Sequence, residues 1–197
     1  MPSIPRNFLI VICGGLLVAA FVYSGLVSIA ADEEHWIITE RIVDLLRTRA
    51  VARRSQDIKL PNLDDPRLAL RGAGQYAEMC AMCHLAPGIK DTEIRQGLYP
   101  RPPNLSERQV DPRAAFWTIK HGIKMSAMPA WGATHDDQTI WSLVAFINRL
   151  PQLSPQQYTE MVTKSPVHEM SSTSANQNLE HSSPHTHTHP HESSQHK

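Results

Sequence analysis

Hydrophobic and polar positions divide the chain into three regimes: an apolar start, a periodic middle and a polar end. From Phe8 to Ala30 the sequence FLIVICGGLLVAAFVYSGLVSIA is apolar and uncharged throughout. A run of that length is enough to cross about 30 Å of hydrocarbon as a helix. It predicts a transmembrane anchor over 8–30 behind a short cytoplasmic N-terminus, 1–7. Arg6 precedes the run while Asp32, Glu33 and Glu34 follow it, and this asymmetry places the remainder of the chain across the membrane. The arginines between Arg41 and Arg54 weaken that asymmetry. A cleaved signal peptide is the competing reading, since small residues at Ser28 and Ala30 precede Ala31. The run exceeds the usual signal core of roughly 7 to 15 residues, which favours a retained anchor. The expected placement is therefore a bacterial inner membrane, single-pass, with the C-terminal domain in the periplasm. Cys13 follows Ile12 rather than a small residue and reads as an unmodified membrane cysteine.

Beyond the apolar run the period becomes helical. Asp32 is a candidate cap, and Trp36, Ile38, Ile42, Leu45 and Leu46 recur at helical spacing while arginines fill other faces, so 31–65 reads as an amphipathic helix and a linker. The arginines read as a solvated face. KLPNLDD, residues 59–65, has turn composition and marks a domain boundary. Asp65-Pro66 then opens a helix towards Cys80, with Asp as cap and Pro at the first helical position. Prolines 100, 102 and 103 make 97–103 a stiff loop. Pro112 to His121 reads as a short helix with Phe116 and Ile119 inward. Asp136-Asp137 caps a last helix, about 138–150, whose Ile140, Trp141, Val144, Ala145 and Ile147 form its apolar side. No segment reads as a strand. The expectation is one all-α domain over 66–152, followed at 153–197 by a polar, His-rich tail too poor in apolar residues to fold.

Composition narrows the function classes. The 197 residues carry net charge +0 with 19% charged positions, which gives no basic surface for nucleic acid. Three cysteines are too few for a disulfide framework.

Two of those cysteines lie in Cys80-Ala81-Met82-Cys83-His84, the C-x-x-C-H attachment sequence of c-type haem. Thiols one helical turn apart meet the two vinyl groups of one porphyrin edge, and the adjacent imidazole becomes the proximal iron ligand. A zinc site would need a second ligand pair, and the remaining cysteine lies in the apolar run. A thioredoxin-like site would need alternating strands and helices. For the other axial position the chain offers Met125 and Met128 in HGIKMSAMPAWG, and thioether sulfur suits haem iron. Pro129 biases Met128 to an extended loop conformation, so Met128 is the expected ligand. His121 and His135 are rivals that would give a bis-histidine haem.

With these motifs in order, the segment from about Pro66 to Pro151 resembles the class I monohaem cytochromes c, the fold of mitochondrial cytochrome c, and especially bacterial members with a Met-Pro-Ala ligand loop, here Met128-Pro129-Ala130. The resemblance implies crossed N- and C-terminal helices around one haem. In that family a helix with glycine four residues before an aromatic precedes the haem motif; Gly72 and Tyr76 match, with Trp141 and Phe146 as aromatics of the crossing helix. A Pro-Asn-Leu step follows, here Pro103-Asn104-Leu105, and it implies that the Pro103 carbonyl holds the ring N–H of His84. The residue directly after the haem histidine, small or glycine in the family, is Leu85 here.

The expected cofactor is one covalent haem c, bound by Cys80, Cys83, His84, Met128 and Pro103, with His84 and Met128 on the iron. The expected function is a single-electron carrier, not an enzyme, of a periplasmic-side respiratory or dehydrogenase-linked chain. Trp117, Trp131 and Phe146 form an expected apolar wall, and His121 is the sole candidate acid-base residue for a catalytic alternative. The expected partners are a redox donor and acceptor and the membrane, with Lys120, Lys124 and Arg101 favouring an acidic docking surface. A second function class comes from His181, His185, His187, His189 and His191 in the tail, which suit copper, nickel or zinc. The alternative is then a haem-containing periplasmic metal-binding protein.

Overall fold

The computed structural model describes residues 5–26, 28–34 and 36–166. The tail histidines at 181, 185, 187, 189 and 191 lie outside them. Eight α-helices occur among the described residues, and no strand: α1 Arg6–Tyr23, α2 Ile37–Ser55, α3 Pro66–Met79, α4 Ala81–His84, α5 Glu93–Gln96, α6 Pro112–His121, α7 Asp137–Arg149 and α8 Pro155–Thr163.

The expected transmembrane helix over 8–30 is overturned. Helix α1 ends at Tyr23, where Ser24 returns its N–H to Ala20 and its hydroxyl to Phe21, and Gly25 turns the chain at φ 67°. Its 18 residues span about 27 Å at 1.5 Å per residue, and they begin with the polar pair Arg6-Asn7. The apolar part falls short of the ~30 Å hydrocarbon core. No helix among the described residues is long and apolar enough to cross a membrane. The single-pass inner-membrane placement and the membrane as partner fall with the anchor.

Helix α2 differs from its expected form in two respects. It starts after Trp36 without a side-chain cap, so Asp32 does not cap it. Its C-terminal half packs on α6, where Val51 and Ala52 meet Ala114 and Thr118 around a groove. Trp36, Ile38, Ile42, Leu45 and Leu46 remain exposed. The linker after α2 is pinned to the domain: Arg113 Nε donates to the Ile58 carbonyl at 3.0 Å and Arg149 to the Asp64 carbonyl at 2.6 Å.

The core forms where α3 and α7 cross. Both start as their sequences predict. The Asp65 side chain accepts from Arg67 N ahead of Pro66, and Asp136 accepts from Thr139 N. A Cβ on Gly72 would lie 2.0 Å from the Ser142 carbonyl oxygen, so the backbones touch there. Tyr76 and Phe146, both fully buried, meet at 5.3 Å just beyond the crossing. Trp141 turns instead to α6, stacking on Phe116 at 4.1 Å.

The chain past 152, expected to be disordered, continues into α8. Ser154 and Gln157 exchange a capping box, and Tyr158 reaches Phe146 at 6.1 Å. Helix α8 lies against α3, and the end of the packed unit moves from 152 to at least Ser165, which is fully buried.

An alanine in a helix interior is normally better than glycine by about 1 kcal/mol. At Gly72 the sign should invert: Gly72→Ala is expected to cost about 2 kcal/mol or more, because overpacking forces the helices apart. Denaturant unfolding of the variant would measure it, and a stabilised variant would refute the close crossing.

Candidate functional site

Helix α3 hands the chain to the haem motif without a break in hydrogen bonding. Cys80 N donates to Tyr76 O at 2.9 Å, and Cys83 N and His84 N both donate to Cys80 O, at 3.0 and 2.8 Å. The single turn of α4 thus presents two free thiols one turn apart, both partly buried. Burial, with Cys83 as the lesser cause, pushes the Cys80 thiol up to about 12. A thiol held protonated at neutral pH is a poor nucleophile. Among the described residues, no group of three or more His, Cys, Asp or Glu side chains could hold a metal ion.

His84 is gripped at ring and backbone. Its Nδ1 lies 3.0 Å from the Pro103 carbonyl oxygen. A carbonyl can only accept, so Nδ1 carries the proton and Nε2 keeps its lone pair. Burial lowers the imidazole pKa, partly offset by this hydrogen bond, and Arg95 lowers it further. The neutral form that can ligate a metal is thereby favoured. The His84 carbonyl accepts from Leu105 N at 3.0 Å and from the Tyr76 hydroxyl at 3.3 Å.

Leu85 stands at φ 64°, ψ 171°, a region that costs any residue but glycine about 1–3 kcal/mol. That is the physical reason for a small residue after the haem histidine in the family this segment resembles. Here Leu85 is 1% exposed, and its carbonyl takes the Tyr76 hydroxyl at 2.6 Å. Burial of the side chain offsets the backbone strain.

The loop that carries the two candidate methionines is clamped onto the end of α6. Gly122 closes that helix at φ 65°, and a Cβ there would lie 2.7 Å from Pro129 C and 2.8 Å from Met128 O. Ile123 N donates to Met128 O at 3.1 Å, and Met128 N donates to Ser126 Oγ at 3.2 Å. The two candidate methionines part company here. Met125 is fully exposed, whereas Met128 is partly buried and packs against the core. Pro129 signals this in the sequence; Gly122, which allows the close approach, gives no sequence signal that distinguishes it from any helix-ending glycine.

The rival histidines sit against tryptophans. His121 is exposed beside Trp117 at 4.9 Å, and His135 meets Trp131 edge-on and Thr134 Oγ1 at 2.9 Å. Of the expected apolar wall, Trp131 is partly buried against the core, while Phe146 lies between Tyr76 and Tyr158. The docking cations are partly neutralised: Lys120 pairs with Asp137 at 2.6 Å and Arg101 approaches Asp91 at 3.8 Å. Helix α5 is not read from the sequence at all. Its Arg95 binds the Pro102 carbonyl and Asp91, and Thr92 donates to Met82 O within the haem motif. A four-residue helix is too short to leave a hydrophobic period.

Residues 67–147 match the family model described as "Cytochrome C oxidase, cbb3-type, subunit III". No curated protein and no solved structure matches the chain. The match runs from the start of α3 into α7 and takes in the haem motif, the Pro-Asn-Leu step and the Met-Pro-Ala loop. The donors present fit the covalent haem c that such a domain carries: two thiols one turn apart, a neutral imidazole with its Nδ1 proton engaged, and a partly buried thioether.

Leu85 supplies a test of the backbone geometry. Leu85→Gly relieves the strain but loses a buried side chain, for a net cost of about 1–3 kcal/mol. Leu85→Ala loses the packing and keeps the strain, so it should be the less stable of the two, the reverse of the usual order. Thermal unfolding of both variants would check the ranking.

Proposed function

We propose, from the premise that residues 67–147 are a c-type cytochrome domain with covalent haem c, that this domain is a class I single-electron carrier with His84 and Met128 as the axial ligands. The observation that carries the reading is the His84 Nδ1 to Pro103 carbonyl contact of 3.0 Å, which leaves one ring nitrogen for a metal and fixes its direction.

When bound, haem c supplies a reversible one-electron couple. The chain's own residues set its terms. Cys80 and Cys83 fasten the group to the turn that also carries its proximal ligand. The Pro103 carbonyl orients the His84 ring and increases its basicity. Met128, held by Ser126 and by the close approach at Gly122, offers a soft sulfur that favours the ferrous state and raises the potential. With His84 and Met128 both holding the iron, the protein would leave no site there for oxygen or peroxide. Turnover at the metal is thereby disfavoured against electron transfer. His121 is exposed against Trp117.

A carrier of this kind passes electrons between redox proteins. The oxidase subunit named in the matching family's description suits a respiratory chain, and a dehydrogenase-linked chain would make the same demands on the site.

A redox titration followed by visible absorption tests the reading. The holoprotein should be low-spin in both oxidation states, with a positive potential and the weak far-red sulfur-to-iron band in the ferric form. Met128→Ala should lose that band, lower the potential and begin to bind carbon monoxide, while Met125→Ala should change none of these. A wild-type protein that is high-spin or binds carbon monoxide would refute His84/Met128 ligation.

A further inference from the structure

The segment that holds His84 has an unusual weakness. Pro100, Pro102 and Pro103 have no backbone N–H, so this stretch cannot be anchored by donating at those positions. Its carbonyl oxygens are the handles that remain there. The Pro103 carbonyl is taken by the His84 ring at 3.0 Å, and the preceding Pro102 carbonyl by Arg95 Nε, also at 3.0 Å. Two adjacent carbonyls are thus fixed by two side chains, and one of them belongs to the proposed iron ligand.

Arg95 is itself held rigidly. Its Nη1 donates to Asp91 Oδ1 at 3.0 Å, and its side chain is only 15% exposed. Its backbone N–H donates to Thr92 Oγ1 at 3.2 Å, and the same hydroxyl donates to the Met82 carbonyl inside the haem motif at 2.5 Å. The hydrogen bond to Arg95 keeps the Asp91 carboxyl below the usual carboxylate range, so the pair stays ionised at neutral pH. A continuous loop results: haem-motif backbone, Thr92, Arg95, Pro102, Pro103 and the ring of His84.

We infer that Arg95 is a positioning residue for the proximal ligand: by holding the Pro102 carbonyl it sets the length and direction of the His84 Nδ1–H to Pro103 hydrogen bond, and so tunes the potential of the bound haem. The inference rests on the proposed ligation by His84. Its physical consequence has a definite sign. When the Pro103 carbonyl slackens, the imidazole becomes a weaker electron donor, ferric iron is less stabilised, and the potential rises. Loss of a positive charge near the site has the opposite effect: the ferric state, which carries one more positive charge than the ferrous, is repelled less, and the potential falls. Position and charge can therefore be separated.

Arg95→Lys retains the charge and removes the planar fork that reaches Pro102 and Asp91 together. The holoprotein of this variant is expected to show a raised potential and a changed g-anisotropy in the electron paramagnetic resonance of the low-spin ferric state, which reports the imidazole plane. Thr92→Val, a neutral change that cuts the tie between α5 and Met82, should shift both in the same direction by less, and it decides the matter if the lysine variant does not accumulate as holoprotein. An unchanged potential and spectrum alongside lowered thermal stability would make Arg95 a structural residue only, and a fall in potential would give the brace the opposite sign; either overturns the inference. A wild-type ferric spectrum without a low-spin histidine signature would instead overturn the ligation on which it rests.

Discussion

Backbone contact between α3 and α7 at Gly72 is the constraint from which the rest of the domain follows. With a Cβ-to-oxygen distance of 2.0 Å for any larger residue, the helices cross closer than side chains normally permit. That approach brings Tyr76 against Phe146 and leaves both without solvent contact. The Tyr76 hydroxyl must then find a partner, since a buried hydroxyl without one is costly. It finds the Leu85 and His84 carbonyls, and so ties the helix crossing directly to the end of the haem motif.

The site is consequently built by backbone more than by side chains. Each of its proposed ligands is held through main-chain atoms: His84 by the Pro103 carbonyl and Leu105 N–H, and Met128 by hydrogen bonds at both its N–H and its carbonyl. Glycine or glycine-like geometry recurs where chains must pass closely, at Gly72, at Gly122 and at Leu85. Leu85 shows the compromise most openly, since its backbone occupies a region suited to glycine while its side chain fills the core.

Asp91, Thr92 and Arg95 join the haem motif to the proline-rich segment, and Arg113 and Arg149 hold the linker that precedes α3. Arg95, Arg113 and Arg149 each donate to a carbonyl in an irregular stretch, which is where backbone acceptors lack partners in secondary structure. The proline-rich segment and the linker ahead of α3 are therefore fixed in place by arginine.

Local chemistry in the sequence was enough to determine the caps of α3 and α7 and the haem motif on one helical turn, because each depends on residues within a few positions of one another. Hydropathy misjudged the start of the chain. An apolar run of sufficient length does not become a sufficient helix when Ser24 and Gly25 end it early. The capping box at Ser154 and Gln157 was legible yet lost in a polar region, and α8 owes its place to packing on α3. The partners of Trp141, the brace from Arg95 to Pro102 and the glycine-like backbone of Leu85 were decided only by tertiary structure. Each depends on which segments meet in space, and the relevant contacts join residues whose spacing in the chain follows no period.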